Sequence, residues 1–422
     1  MTKSHRILFG SLAVLLALAM VSPAQATNGY FAHGYGTIAK ALAGAGVAMP
    51  QDTMAAATNP AGMVVVGKRY DAGIGVFSPD RSYTVTGNPS GFPGTFGLTP
   101  GKVESDSNYF YIPYFGGSWR IGDNMTLGVN LYGHGGMNTD YPAATFYAGQ
   151  PTGVNLEQLF VGIPWAVEFA DKHSIGIMPI FVYQTFEAQG VGSFAPFSSD
   201  PTKLSDNGKS TSTGYGAKVG YLGRFTDRFS FGISYETEMS MDEFTDYAGL
   251  FAERGGFNVP ASLTAGIAIH ATPAMSLLVD YQDIYYSNIK SINNPLLPNL
   301  QTARLGDDGG AGFGWQDMSV WKFGLQYDPE NAWAWRFGYS FTDQPIPESE
   351  VLFNILAPGV MEDHFTFGFT RAFGDSSGLN FSLMYAPEVK VTGPNMLEVP
   401  GLQDITLAMS QWDIEVSYSW GF

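Results

Sequence analysis

The C-terminal segment alternates without a break. Trp412, Ile414, Val416, Tyr418, Trp420 and Phe422 are apolar or aromatic, and Asp413, Glu415, Ser417, Ser419 and Gly421 between them are polar or small. Successive side chains of a β-strand point to opposite faces, so this segment predicts a strand with one greasy and one polar face. The same period recurs upstream, in Met125 to Leu131, Tyr215 to Tyr221 and Phe229 to Tyr235. It continues through Trp321 to Tyr327, Trp333 to Phe341, Phe365 to Phe369 and Leu379 to Tyr385. Short turns fall near 121–124, 171–173, 226–228, 271–274, 328–331 and 374–378. Long Gly/Pro-rich loops fall near 79–107, 134–158, 188–212, 239–259, 290–315, 344–360 and 391–405. Six short turns and seven long loops join about fourteen strands and put both ends of the sheet on the short-turn side. The series opens with strands near 69–78, 108–120, 125–133 and 159–170 and closes with 406–422. A secreted sandwich also alternates, but it buries its greasy face and needs no long loops confined to one end. The predicted fold is all-β, a transmembrane antiparallel barrel of about 14 strands.

The N-terminus adds an address. Lys3, His5 and Arg6 precede an apolar stretch from Ile7 to Met20, and Ala24-Gln25-Ala26 fits a cleavage site. Residues 1–26 therefore read as a cleaved secretory signal. Beyond Met20 no run of 18 apolar residues occurs, so no spanning helix is expected. Residues 67–422 form the expected barrel. Residues 27–66 do not alternate; they are small, partly apolar and broken by the turn signal Asn59-Pro60-Ala61-Gly62-Met63. A barrel of this width leaves a lumen, and the economical place for this segment is inside it, as a hatch with Asn59, Pro60 and Ala61 near the axis.

Composition narrows the chemistry. Charged residues are 14% of the chain, against about a quarter in ordinary globular proteins. Net charge is −17, which argues against nucleic acid as a partner. There is no cysteine, and the histidines have no metal-ligand spacing. No Gly-x-Ser-x-Gly elbow is present. No cofactor, metal or catalytic site is expected, and the chain does not read as an enzyme. Its loops are unusually greasy. Phe194 and Phe197 in one loop, and Phe244, Leu250 and Phe251 in another, read as a capture surface for an apolar ligand or as loop–loop packing. Strand parity turns Lys218, Lys322 and Arg336 into the lumen. There they hold a carboxylate head group or pair with lumen acids such as Glu168, Asp280, Asp413 and Glu415. Gly133, Gly135 and Gly136 mark a place where a wall strand bends.

Several tracts resemble a known family. Ala43-Gly44-Ala45-Gly46-Val47, Asp52, Ala55 to Ala57 and Asn59-Pro60-Ala61-Gly62-Met63 look like the hatch segment of the FadL family of long-chain fatty acid transporters. Gly310 to Met318, Gln344-Pro345-Ile346-Pro347 and Leu352 to Gly359 agree with it. The resemblance spans the whole mature chain. It implies a 14-stranded barrel with an N-terminal hatch in the outer membrane of a Gram-negative bacterium. It also implies passive uptake of long-chain fatty acids or other hydrophobic small molecules, aromatic hydrocarbons included. The ligand would land between the outer loops, pass to a lumen pocket and leave sideways through a gap at a kinked strand. The implied surroundings are outer-membrane lipid and lipopolysaccharide, the barrel-assembly machinery during insertion, and a monomeric state. A polar-solute porin and a lipid-acting outer-membrane enzyme are the alternatives. No local motif carries the family's head-group residues onto this chain.

Overall fold

A computed structural model describes residues 28–422 except Glu330 and Asp375, so the expected signal segment lies outside the described residues. Seventeen strand segments close into a single antiparallel sheet. They are β1 (Arg69–Thr86), β2 (Gly101–Glu104), β3 (Phe110–Arg120), β4 (Met125–Tyr141), β5 (Thr152–Gly162) and β6 (Trp165–Phe169). Next come β7 (His173–Gln189), β8 (Ser210–Thr226), β9 (Phe229–Glu236), β10 (Ser240–Met241), β11 (Ser262–Thr272) and β12 (Met275–Ile284). The last are β13 (Met318–Tyr327), β14 (Trp333–Phe341), β15 (Asp363–Phe373), β16 (Ser377–Pro394) and β17 (Asp404–Gly421). β5 and β6 are two parts of one crossing, and β2 and β10 are short strands in long connections, which leaves fourteen wall crossings. β1 pairs with β17 along its whole length, from Arg69 opposite Gly421 to Thr86 opposite Asp404. Closure removes the free edge that a membrane would leave without hydrogen-bond partners.

The expected parity holds in the lower wall. Trp412, Ile414, Val416 and Tyr418 are exposed on the outside, and Asp413, Glu415, Ser417 and Ser419 are buried inside. Towards the long-loop end the pattern inverts. Inward Ile405, Leu407 and Met409 of β17 and inward Phe77, Tyr83 and Val85 of β1 are apolar and buried, whereas their outward neighbours Asp80, Thr84 and Thr406 are polar. There the wall has left the lipid, so its outside is wet and its inside is greasy. The inversion is why strands expected to stop near 78 and 133 run on to Thr86 and Tyr141. It also puts 134–141 and 152–158, expected as loop, into β4 and β5.

Residues 28–66 fold into short helical turns, Thr37–Lys40, Ala55–Thr58, Pro60–Gly62 and Met63–Val66, and most of them are buried. Their partners are inward side chains from well-separated parts of the wall. Lys40 Nζ lies 2.8 Å from both Asp413 and Glu415 on β17. The amides of Gly46 and Val47 donate to Asp280 on β12 at 2.7 and 2.9 Å. Asn130 on β4 donates to the Thr53 carbonyl, and Ser174 on β7 to the Ala61 carbonyl. Contacts on so many sides place the segment within the lower barrel. Inward glycines make room for it. A Cβ on Gly176 would sit 2.5 Å from Pro60 C and Ala61 N, and one on Gly220 would sit 2.1 Å from Asn59 Oδ1.

Candidate transport path

The outermost element is an apolar pocket under the long loops. Phe194, Leu250, Phe251, Phe313, Phe353 and Leu356 line a cavity of about 30 Å³. Of the five expected capture residues, Phe194, Leu250 and Phe251 meet at this pocket. Phe244 lies behind it, buried, its ring 6.3 Å from Phe251 and 5.6 Å from Phe186. Phe197 stands apart and is 43% exposed. The pocket is thus packed shut in this conformation. A ligand has to part the phenylalanine side chains, because an apolar cavity that takes benzene is about 150 Å³.

Directly inward runs the segment Phe353 to Gly359. Phe353 and Leu356 line the outer pocket, while Ala357, Pro358 and Gly359 line a second, smaller one of about 10 Å³. The second pocket also has Phe77, Met137, Met409, Trp315 and Arg81 on its wall. Trp315 donates to Asn354 Oδ1 at 2.6 Å and meets Tyr286 edge-on at 5.2 Å. Tyr286 in turn donates to the Asn28 carbonyl. Buried side chains from the outer pocket through Trp315 to Tyr30, Phe31 and Phe160 form one continuous apolar cluster.

The cluster borders a defect in the wall. β4 pairs with β5 in register up to Gly133 opposite Leu159 and resumes at Gly136 opposite Glu157. His134 and Gly135 therefore face a single residue, Gln158, which is a β-bulge. On its other side β4 pairs with β3 only from Thr126 to Leu131. Phe110 to Tyr114 of β3 pair with β1 alone, so the wall parts between β3 and β4 above the Phe115–Leu131 pair. From within, the N-terminal segment bonds to the bulge. Ala32 N donates to the His134 carbonyl, and Gly136 N to the Tyr30 carbonyl, both at 3.0 Å. A Cβ on Gly135 would lie 2.1 Å from Tyr30 O, so only glycine allows this approach.

The inward cations expected as head-group candidates are engaged by protein. Lys218 pairs with Glu236 at 3.0 Å and donates to the Ala57 carbonyl. His134 Nε2 approaches the same glutamate at 3.2 Å. Lys322 faces Asp280 in register and donates to the His33 carbonyl. Arg336 donates to Gln326, Thr370 and Gln51. Asn59, Pro60 and Ala61 sit under β7 and β8. Asn59 Nδ2 donates to the Val47 and Tyr221 carbonyls at 2.9 Å, and its Oδ1 accepts from Ala61 N. Burial opposes a charge on Lys40, but Asp413 and Glu415 outweigh it and hold its pKa above the usual lysine value. Burial, followed by the charge of Asp71, pushes the Asp52 carboxyl up to about 7.

Two further features bear on alternatives. A polar pocket of about 770 Å³, with Gln51, Arg69, Asn331, Arg336 and Ser376 on its wall, opens at the short-turn end below the N-terminal segment and off the apolar path. Among the described residues two Ser–His contacts occur, His270 with Ser276 at 2.8 Å and Ser340 with His364 at 3.3 Å. Ser276, Ser340 and His364 are buried on the inner wall, and His270 stands opposite Ser276 in register, so neither pair faces the lipid.

Comparison with known proteins fits this geometry. The model of the family described as Outer membrane protein transport protein (OMPP1/FadL/TodX) matches residues 13–392. The chain belongs to this family. It is an outer-membrane transport barrel. Among solved structures, the P. putida toluene transporter TodX is 18% identical with a TM-score of 0.68, covering 92% of this chain and 99% of its own. A Pseudomonas aeruginosa FadL homologue is 16% identical with a TM-score of 0.67, covering 93% and 100%. The Ralstonia pickettii toluene transporter TbuX is 18% identical with a TM-score of 0.61, covering 92% and 99%. At these identities the likeness shows the shared fold. Comparison with curated protein sequences finds no match.

The sequence pointed to the residues of the outer pocket and to the glycines at the β4 bulge. It missed the inner pocket of Arg81, Phe77, Met137, Trp315 and Met409. The available signal was the inverted alternation of 77–85, where Arg81 falls on the same face as Phe77, Tyr83 and Val85.

Proposed function

We propose that this protein carries hydrophobic compounds, long-chain fatty acids or aromatic hydrocarbons among them, passively across the outer membrane. The observation that carries the reading is the continuous apolar cluster from the loop pocket to the bulge at His134–Gly135. A porin for polar solutes needs a wet, charged conduit; here the upper lumen is apolar and the lower lumen is filled by residues 28–66. Those residues act as a hatch. They block a straight descent and leave the parting between β3 and β4 as the exit, where a greasy molecule reaches the bilayer core without crossing the headgroups. Withdrawal of Tyr30 and Phe31 from the bulge opens that exit. The inward placement of both Ser–His pairs argues against hydrolysis of membrane lipid. The names of the neighbours speak for aromatic hydrocarbons in TodX and TbuX, and the same barrel suits an acyl chain. A burial gain of about 0.8 kcal/mol per CH₂ suffices for capture without one fixed pose. The test is uptake of labelled oleate and labelled toluene by a deletion strain with and without the gene restored. Restored uptake of either substrate supports the reading; ionic conductance with uptake of neither refutes it.

A further inference from the structure

The lipid-facing side of the wall is not smooth. Across β6, β7, β8, β9 and β11 it carries a groove of about 500 Å³. The register shows how the groove is built. Trp165, Ile177, Val219, Tyr235 and Leu263 stand in one row across the five strands, each opposite the next. Ile175, Tyr221 and Ile233 form a second row, two residues nearer the short turns. Trp165, Ile175, Ile177, Val219 and Tyr235 are all exposed, so both rows stand proud of the backbone. The floor between them is the backbone of Gly176, Gly220 and Ser234, which pair in register. Asn59 to Ala61 back the two glycines from inside, and the Thr58 carbonyl accepts from Ser234.

The dimensions suit one acyl chain. Four interstrand steps of about 4.8 Å give a length of about 19 Å, and the two rows stand about 6.6 Å apart. An acyl chain crosses one leaflet, about 15 Å of a hydrocarbon core of about 30 Å. The convex wall of a second barrel cannot enter so narrow a slot. The groove also has a direction. Trp165 is four residues from the short-turn end of its strand at Phe169, and Leu263 is nine from the end of its own at Thr272. A chain in the groove thus starts near the short-turn, periplasmic side and rises away from it, the course of a lipid in the periplasmic leaflet. Cations stand where its head group lies. Lys172, three residues before Ile175, and Arg228 in the neighbouring turn are exposed. Lys172 pairs with Asp227, but both partners are open to water and such a pair is weak. In a bilayer every wall surface meets apolar chains, so a fixed lipid site needs closer packing and a head-group charge contact. The groove supplies the first and the two turns the second.

We propose that this groove holds one acyl chain of a periplasmic-leaflet phospholipid, with Lys172 and Arg228 on its phosphate. The site lies outside the transport path and does not depend on the transport reading. Phosphatidylglycerol with a diazirine in its acyl chain, photolysed with the full barrel in phosphatidylethanolamine vesicles, tests it. Peptides carrying Ile175 to Ile177, Val219 to Tyr221 and Ile233 to Tyr235 should take up about fivefold more label than other lipid-facing strands. Label spread evenly around the wall of the unmodified barrel overturns the site. Val219→Trp fills the groove and should bring these peptides down to the level of the rest, whereas Leu325→Trp, on the lipid face of β13, should leave the excess in place. An excess that survives Val219→Trp overturns the groove as its cause. Lys172→Gln with Arg228→Gln should lower the excess, and an unchanged excess overturns the phosphate contact. Heat-modifiable migration in electrophoresis checks that each variant is folded. Two other occupants give their own results. A dimer in native mass spectrometry that Val219→Trp dissolves assigns the groove to a second copy, and displacement of the label by butylbenzene assigns it to a hydrophobic solute; either overturns the proposal.

Discussion

Adding a methyl group at Gly176 and Gly220 should loosen the hatch and leave the barrel intact. The two glycines face each other across β7 and β8. Their missing side chains are the space that Asn59 to Ala61 occupies. In Gly176→Ala the new carbon falls 2.5 Å from Pro60 C and Ala61 N, and in Gly220→Ala 2.1 Å from Asn59 Oδ1. Both distances are far inside van der Waals contact. The wall strands are fixed by ladders on both sides, so the hatch turn has to retreat. Retreat breaks the bonds that join this turn to the wall, from Asn59 Nδ2 to the Tyr221 carbonyl, from Ser174 to the Ala61 carbonyl and from Ser234 to the Thr58 carbonyl. At about 1 kcal/mol net each, docking weakens by about 3 kcal/mol. That raises the undocked population about a hundredfold. Hydrogen exchange of the peptide spanning residues 59–63, read by mass spectrometry on the folded double variant, should accelerate by about that factor. Ala217→Leu, on the lipid face of β8, should change nothing. Unchanged exchange at 59–63 in a barrel that carries both alanines would refute the idea that close approach to the wall holds the hatch.

Val416 faces lipid near mid-strand, so Val416→Arg should cost roughly 2–4 kcal/mol in refolding titrations into lipid vesicles, and an unchanged midpoint would contradict the register. Lys40→Met leaves Asp413 and Glu415 buried without their cation, a loss of about 3–5 kcal/mol; limited proteolysis should then cut within residues 28–66, and adding Asp413→Asn and Glu415→Gln should restore protection. Phe194→Ser with Phe251→Ser should weaken uptake of oleate and toluene alike, because both side chains line the outer pocket without a polar contact. Asp52 has its pKa raised to about 7 by burial and then by Asp71. A carboxyl with a raised folded-state value weakens the fold as pH rises from about 4 through 7. Exchange of the 52–58 amides, corrected for intrinsic rate, should therefore increase between pH 5 and pH 8, and Asp52→Asn should flatten that dependence.

The crossings through lipid were legible because the bilayer enforces them. Every second residue of Trp412 to Phe422 must be apolar on one face, and nothing else in the chain competes with that demand. The loop-side ends were illegible for the converse reason. Above the bilayer the same strands carry Phe77, Arg81, Tyr83 and Val85 inward and Asp80 and Thr84 outward. A period-two reading keyed to an apolar outside stops where the apolar face changes sides. That inversion hid the inner pocket and left Arg81 inside what reads as a loop from 79 to 107.

Parity assigned Lys218, Lys322 and Arg336 to the inside, where they are buried, but it was silent on what they meet there. A wet lumen and a docking surface both turn polar residues inward, so charge alone cannot separate a free head-group site from an anchor for the N-terminal segment. Glycine separates them. A strand facing water gains nothing from glycine, which weakens it. A strand that another backbone touches needs it. A Cβ on inward Gly116 would meet Thr53 Oγ1 at 2.1 Å, on Gly232 the Val47 carbonyl at 2.1 Å, and on Gly338 the Ala43 amide at 2.4 Å. With Gly176 and Gly220 they trace the footprint of residues 42–61 on the wall. Inward cations that neighbour this footprint are occupied by the N-terminal segment, Lys218 by the Ala57 carbonyl and Lys322 by the His33 carbonyl. Arg81 lies above the footprint, beside apolar side chains, and keeps two donors free. The position of a lumen cation relative to the inward glycines therefore marks which cations anchor the N-terminal segment in this barrel.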